Sequence, residues 1–351
     1  MSWDIALILG IDGLANGAVY LLAGIGLVLI FSVTRVVFVP FGDIAAFAAL
    51  TLAAFETGRM PPTIAMVGVL AVLAMIVEAG SLARRGEFAR IPKAIAWWGV
   101  LPAIPCAFAW LAAQPGVPAA VHVAAAVLLV VPLAPLVARI VFQPIADASV
   151  LVLLIVSLAL HFLLSGIGLL FFGPEGSRTS PLASGSVTLG DGYAVSGQVI
   201  LMVASAIVLS GLFFLVFEHT VTGKALRATA VNRVGARLVG IRPARTALIA
   251  YGCASLLGGL IGVLIAPVTT MYYDSGFIIG LKAFVAAIIG GLVSYPLTAV
   301  GGLAVGLVES FASFWSGALK DAIVFSLLIP VLMLRSFFSV HADEDEEEVD
   351  E

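Results

Sequence analysis

Apolar stretches of about 20 residues recur from the first residues of the chain to about residue 337, separated by short polar or Gly- and Pro-rich punctuation. A stretch of that length spans the ~30 Å hydrocarbon core of a bilayer when it is helical. Hydropathy and breakers predict spans at 13–33, 41–57, 62–82, 95–113, 119–141, 149–172, 198–218, 246–268, 277–294, 297–316 and 321–337. The expected fold is all-α, a polytopic transmembrane bundle of nine to eleven helices. The uncertain pair surrounds "IIGGLVSYPLTAVGG" at 288–302, where so short a turn could equally join re-entrant half-helices buried in protein. The first stretch, opening "MSWDIALILG", has no basic start and continues apolar to Val33 without a small-residue cleavage site, so it reads as a retained span.

Composition narrows the picture. The chain has 351 residues, 62% hydrophobic and 11% charged, with a mean hydropathy of +1.17; soluble domains carry roughly 25% charged residues. Residues 1–338 therefore form one membrane domain, and function is to be sought in loops and in polar groups inside the bilayer. The net charge of -4 comes from the terminal "HADEDEEEVDE"; 339–351 is an acidic tail, read as a solvated end. Cys106 and Cys253 lie far apart in apolar runs and suggest neither a disulfide nor a metal site. Basic residues are distributed unevenly. Arg35, Arg84, Arg85, Arg90, Lys93, Arg139, Lys224, Arg227, Arg233, Arg237, Arg242, Arg245 and Arg335 fall on one side of the predicted spans, against Arg59, Arg178 and Lys320 on the other. The excess marks the cytoplasmic side, which puts the N-terminus in the periplasm and the C-terminus in the cytoplasm.

The densest basic stretch is 222–247, "TGKALRATAVNRVGARLVGIRPARTA", which contains no acid. Read as one helix over 224–241, it aligns Leu226, Ala230, Val234, Leu238 and Ile241 in an apolar stripe flanked by cations. Thr222 would cap its start, and Gly240 with Pro243 would end it. Two readings stand: a positive loop resting on the lipid interface, or a helix that docks into a cytoplasmic partner.

Charged groups within spans are costly and are functional candidates. Asp43 could line a path or cap a helix beginning at Ile44. Glu78 lies near the inner end of its span, where water reaches it. Lys282 and Glu309 stand in consecutive spans and could pair, or line a path. Asn16 and Tyr20, four residues apart, share one helix face. His161 stands alone in an apolar run, with no second ligand at helical spacing, so no metal is expected. Gly223-Lys224 lacks the upstream glycine and following Ser or Thr of a phosphate-binding loop. No nucleophile triad, metal triad or cofactor motif is present, so the chain is read as a non-enzyme that itself binds neither cofactor nor nucleic acid. Pairs such as "LGGLIG" and "GGLAVG" read as sites of close helix contact.

"GKALRATAVNRVGARLVGI" resembles the cytoplasmic coupling loop of branched-chain amino acid ABC-transporter permeases. "DGLANGAVYLLAGIGLVLIFSVTRVV", "LVARIVFQPIADASVLVLLI", "LLFFGPEG" and the stretch from "GGLIGVLIAP" through "GGLAVGLVESF" resemble other parts of the same family, in family order. The resemblance implies an inner-membrane permease subunit of a bacterial importer, whose loop 219–245 is gripped by an ATP-binding subunit through Lys224, Arg227, Val234, Arg237, Leu238 and Gly240. It also implies a second homologous permease, two ATP-binding subunits that hydrolyse ATP, and a periplasmic solute-binding protein. Asn16, Tyr20, Asp43, Lys282 and Glu309 become candidates for the translocation path.

The chain departs from the family pattern at three places. Where relatives carry acids in the loop, it has Asn232, Val234 and Gly235. Where they read N-F-A-H-G-D, it has Phe38, Val39, Pro40 and Phe41 before Gly42-Asp43. Segment 83–118 has no family counterpart and reads as an insertion adding two spans. The alternative function is an ion-coupled secondary transporter acting alone, with Asp43 or Glu309 carrying the coupling ion.

Overall fold

A computed structural model of the chain describes residues 3–189 and 193–333. Arg335 and the acidic tail at 339–351 lie outside the described residues. Helices dominate, as every backbone N–H and C=O facing lipid must be satisfied within its own segment. Eight helical units are long and apolar enough to cross a membrane. They are α1 (Trp3–Thr34), α3 (Thr63–Arg84), the unit Phe88–Ala112 that ends in α4 (Ile91–Ala112), the unit Ala119–Ile145, α7 (Val150–Phe172), α8 (Gly197–His219), α11 (Pro243–Ile265) and α13 (Tyr295–Trp315). Ala119–Ile145 is a composite of α5 (Ala119–Val130), α6 (Leu133–Val137), a π turn and a 3-10 turn; Pro132 and Pro135 remove backbone donors where the winding changes.

Three of the eleven expected spans fall short. Helix α2 (Phe41–Glu56) has 16 residues and α12 (Gly276–Ile289) has 14, about 24 Å and 21 Å at 1.5 Å per residue. The last, α14 (Lys320–Ser326), has 7 residues, and helix resumes at 328–333. Helix α2 starts at Phe41, where it was expected, because Pro40 in the preceding "RVVFVP" offers no N–H and the Val-rich run favours extended backbone. This non-helical stretch is buried in protein rather than exposed to lipid. Val39 N–H donates to Ser157 Oγ (2.9 Å), and Phe38 packs edge-on against Tyr251 and Phe142. Helices α2 and α12 begin against each other, and a Cβ on Gly276 would lie 2.5 Å from the backbone N of Asp43. Only glycine permits that approach.

The predicted small-residue contacts are present. Helices α1 and α13 pack antiparallel through Gly13, Gly17, Gly302 and Gly306; a Cβ on Gly17 would stand 2.9 Å from Leu303 Cα. Gly259 makes room for Val127 and Val130 of α5. Segment 83–118 supplies one membrane-length helix, α4, rather than two. It is the least embedded of the early helices and packs on α3 and α5 at the periphery. Glu78, expected in water, forms an ion pair with Arg139, and Arg139 also donates to Gln143 Oε1 (2.7 Å).

Contacts across the connections sort the helix ends into two groups. Residues 177–182 tie to 266–271 and to the end of α2: Ser177 and Met271 exchange backbone bonds of 2.9 and 2.8 Å, and Ser180 Oγ donates to Glu56 Oε1 (2.7 Å). The loop there carries an unpredicted hairpin, β1 (Ser186–Leu189) with β2 (Tyr193–Ser196). At the opposite end Gln143 Nε2 reaches the carbonyl of Ala244, and Phe217 packs against Tyr295.

Candidate functional site

The basic segment is two helices, not one. Helix α9 (Val221–Val231) ends at Asn232, whose φ of -149° and ψ of 105° break the winding before α10 (Arg233–Leu238). Asn232 Oδ1 accepts from Val234 N–H (3.0 Å) and Gly235 N–H (2.9 Å), the N-cap arrangement. The first cap is Thr220, accepting from Gly223 N–H, rather than Thr222. Gly240 ends the unit at φ +86°, where a side chain would be strained. The predicted single stripe is therefore split. Leu226 points inward against Leu29, Val33, Phe217 and Ala250, whereas Val234 and Leu238 are 66% and 84% exposed.

Helix α9 is fastened to the membrane helices. Arg227 pairs with Glu218 at the end of α8 (2.6 Å) and also donates to its carbonyl (3.2 Å). Thr246 Oγ1 of α11 donates to Thr229 Oγ1 (3.2 Å). Arg227, expected to reach outward, is thus a brace, while Lys224 and Arg237 face outward with Val234 and Leu238. Beneath the α9–α10 break, a cavity of about 230 Å³ is lined by Ser32, Arg35, Thr229, Asn232 and Arg233. Burial lowers the pKa of the Arg233 guanidinium below its ordinary value; Asp147 opposes the shift, and Arg237 and Arg35 add to it.

Inside the bundle, three of the five path candidates meet. Glu309 on α13 accepts from Lys282 Nζ of α12 (2.5 Å) and from Tyr20 OH of α1 (2.5 Å). Lys282 Nζ also lies 2.8 Å from Asp321 at the start of α14, and Lys320 Nζ is 3.9 Å from Glu309. Asn16 stands one turn along α1 from Tyr20, half-buried. The pair of Lys282 and Glu309 is the expected one; Tyr20, Lys320 and Asp321 were not expected to join it.

Asp43 lies elsewhere. It does not cap α2, which starts at Phe41, and both its carboxylate oxygens face His161 Nδ1 of α7 at 2.9 and 2.8 Å. His161, read as solitary, is a buried partner, with Phe277 stacked on its ring at 4.7 Å. The pair sits midway along α7, and among the described residues no group of three or more His, Cys, Asp or Glu could hold a metal ion.

Against this geometry the comparisons with known proteins are consistent. Residues 10–334 match the family described as "Branched-chain amino acid transport system / permease component". The high-affinity branched-chain amino acid transport system permease protein LivH of Escherichia coli K12 is 28% identical over 204 residues, covering 56% of this chain and 66% of the relative. The protein BraD of Pseudomonas aeruginosa, described in the same words, matches at 28% over the same length. A probable branched-chain amino acid transport permease protein LivH of Methanocaldococcus jannaschii is 29% identical over 202 residues, covering 54% of this chain and 62% of the relative. The matched part thus spans just under two thirds of the relatives' own length, and no solved structure matches. With the family pattern running through nearly all the described helices, the chain belongs to the branched-chain amino acid transport system permease family.

Proposed function

We propose that the protein is the membrane-spanning subunit of an ATP-driven importer for branched-chain amino acids or related small organic solutes. In this reading it pairs with a second homologous permease in the bacterial inner membrane, receives solute from a periplasmic binding protein, and is driven by two separate ATP-binding subunits. The helix ends gathered around Gln143, Tyr295 and α9 face the cytoplasm, because they carry the basic excess; the N-terminus is then periplasmic and the C-terminus cytoplasmic. Residues 219–245 form the coupling unit.

One observation carries the reading: α9 is locked to α1, α8 and α11, while α10 presents an apolar and basic face to solvent. Leu226 packs against α1, α8 and α11, and Arg227 and Thr229 add polar ties to α8 and α11. A partner that closes on Val234, Arg237 and Leu238 would move a rigid unit, and the movement would pass into those three helices. Packed interfaces switch between discrete arrangements, so a small push can alternate access to the path.

The ion-coupled alternative needs an acid at the midplane free to take up and release its ion. Asp43 is held by His161, and Glu309 by Lys282 and Tyr20. Both candidates are already compensated, which favours the ATP-driven reading. The test is leucine uptake by host cells carrying Arg237→Glu with Leu238→Asp. Uptake should fall at least about tenfold, since both changes lie on the docking face, with the amount of inserted protein unchanged. Full uptake at normal protein level contradicts the assignment.

A further inference from the structure

Helix α1 ends on a residue that does not suit its backbone. Arg35 N–H donates to the Phe31 carbonyl (2.7 Å), the bond that closes a helix on a left-handed residue, and Arg35 stands at φ +62°. Glycine or asparagine ordinarily fills such a place, because a bulkier side chain is strained there. An arginine held in that conformation calls for a functional reason, and its surroundings supply one. Arg35 lines the cavity of about 230 Å³ beneath the α9–α10 break, together with Arg233, Asn232, Thr229 and Ser32.

The polar groups of this cavity are donors without acceptors. Ser32 and Thr229 spend their hydroxyl hydrogens on the carbonyls of Leu29 (3.1 Å) and Ala225 (2.8 Å). Asn232 spends its Oδ1 on the α10 cap, which leaves its amide N–H groups. The Arg233 Nε is buried with no hydrogen-bond partner, and among the described residues neither the Arg233 nor the Arg35 side chain forms a hydrogen bond or ion pair. The charge balance points the same way. Segment 222–247 supplies cations and no acid. Helices α1 and α9 both end at the cavity, and two C-terminal ends of about half a negative charge each offset only one of the two guanidinium charges. Asp147 acts on Arg233 from beyond ion-pair distance, while Arg237 and Arg35 act against it. A water takes about 30 Å³ in the liquid, so a five-atom oxyanion fits with room to spare.

We propose that this cavity is a binding site for a phosphoryl anion, held by Arg35, Arg233 and the amide of Asn232. A planar guanidinium matches phosphate oxygens in pairs, and a tetrahedral oxyanion accepts from two such forks and an amide at once, which a halide does not. The bound anion bridges the end of α1 and the joint between α9 and α10. In the importer reading it braces the joint through which a partner's push passes; the binding itself does not depend on that reading. Two sources present the same oxygens: phosphate or a phosphate monoester in solution, and the headgroup of an anionic phospholipid at the membrane surface.

The test uses the solubilised full chain, purified in phosphate-free buffer with an uncharged detergent. Its thermal unfolding midpoint is followed by tryptophan fluorescence during titration with sodium phosphate, against sodium chloride at equal ionic strength. A ligand that binds only the folded state raises the midpoint by mass action, and a saturating rise of at least about 2 °C over chloride is expected. Arg233→Gln should lose the rise. Arg35→Gly is the sharper variant: glycine suits φ +62°, so it should melt no lower than wild type in chloride and yet gain nothing from phosphate. Arg242→Gln, outside the cavity, should respond as wild type does. In a second arm, phosphatidylglycerol is added to the same micelles in place of phosphate, against phosphatidylcholine. A rise with phosphate that both arginine variants abolish assigns the site to a dissolved anion, and a rise with phosphatidylglycerol alone, abolished in the same way, assigns it to a lipid headgroup. No rise in either arm, an equal rise with chloride, or a rise that survives in both arginine variants overturns the site.

Discussion

Glu309 receives a cation and a phenol from two other helices, and each of its oxygens is engaged. Removing one member of such a buried group leaves the others uncompensated, a loss of about 3–5 kcal/mol. Glu309→Leu is therefore expected to lower the thermal unfolding midpoint of the detergent-solubilised protein substantially. The double change Lys282→Met with Glu309→Leu should recover most of that loss, and a single variant as stable as wild type would contradict the pairing. The same logic applies to Asp43 and His161: His161→Phe should reduce folded protein, and Asp43→Leu added to it should restore it. These pairs were unequally legible in the sequence. Lys282 and Glu309 stand in consecutive spans joined by a short turn, so neighbourhood along the chain foretold contact. Asp43 and His161 are 118 positions apart, and no spacing rule connects residues across so many helices. Asp43 also lay beside a turn-like "VPFGD", where capping was the nearer explanation.

Among the elements, α2 and α12 depend most on single glycines. Their starts abut at Gly42 and Gly276, and a Cβ on Gly42 would lie 2.8 Å from the backbone N of Gly280. Gly276→Ala is expected to abolish a monodisperse peak in fluorescence-detected size exclusion. Gly252→Ala, whose nearest neighbour is the Pro135 ring at 3.7 Å, should be tolerated; equal behaviour of the two would argue against the close approach. Hydropathy found the positions of these helices, with α2 within one residue of its expected bounds, but ran α12 on to 294 because the turn after Ile289 is itself apolar. The break at Asn232 was concealed differently. Its apolar neighbours happen to continue a helical stripe, while the local preference of Asn for an N-cap was outvoted by that periodicity. Asn232→Ala should loosen α10 by about 1 kcal/mol. Its expected signature is reduced leucine uptake at normal protein level, and unchanged uptake would show that α10 does not need its cap.

At the scale of the whole molecule, the proposed function joins the ends of the bundle to its interior. Exposed apolar residues cover α7 and α8, the Lys282–Glu309 pair is buried between helices, and α9 is tied to α1, α8 and α11 at one end of the bundle. Hydropathy and the family resemblance anticipated the helical bundle, and the paired glycines anticipated its close helix contacts. Lys320 and Asp321 stood at the boundary of the last expected span, and only the fold sets them beside Glu309 and Lys282. The central claim is that segment 219–245 grips an ATP-binding subunit. Its most direct test is co-purification of the solubilised full chain from its native host, comparing wild type with a Val234→Asp, Leu238→Asp variant. The account predicts ATP-binding subunits with the wild type and their loss from the variant, at equal membrane levels. Recovery of the chain alone from both, under conditions that preserve membrane complexes, or equal recovery of the subunits with both, would contradict it.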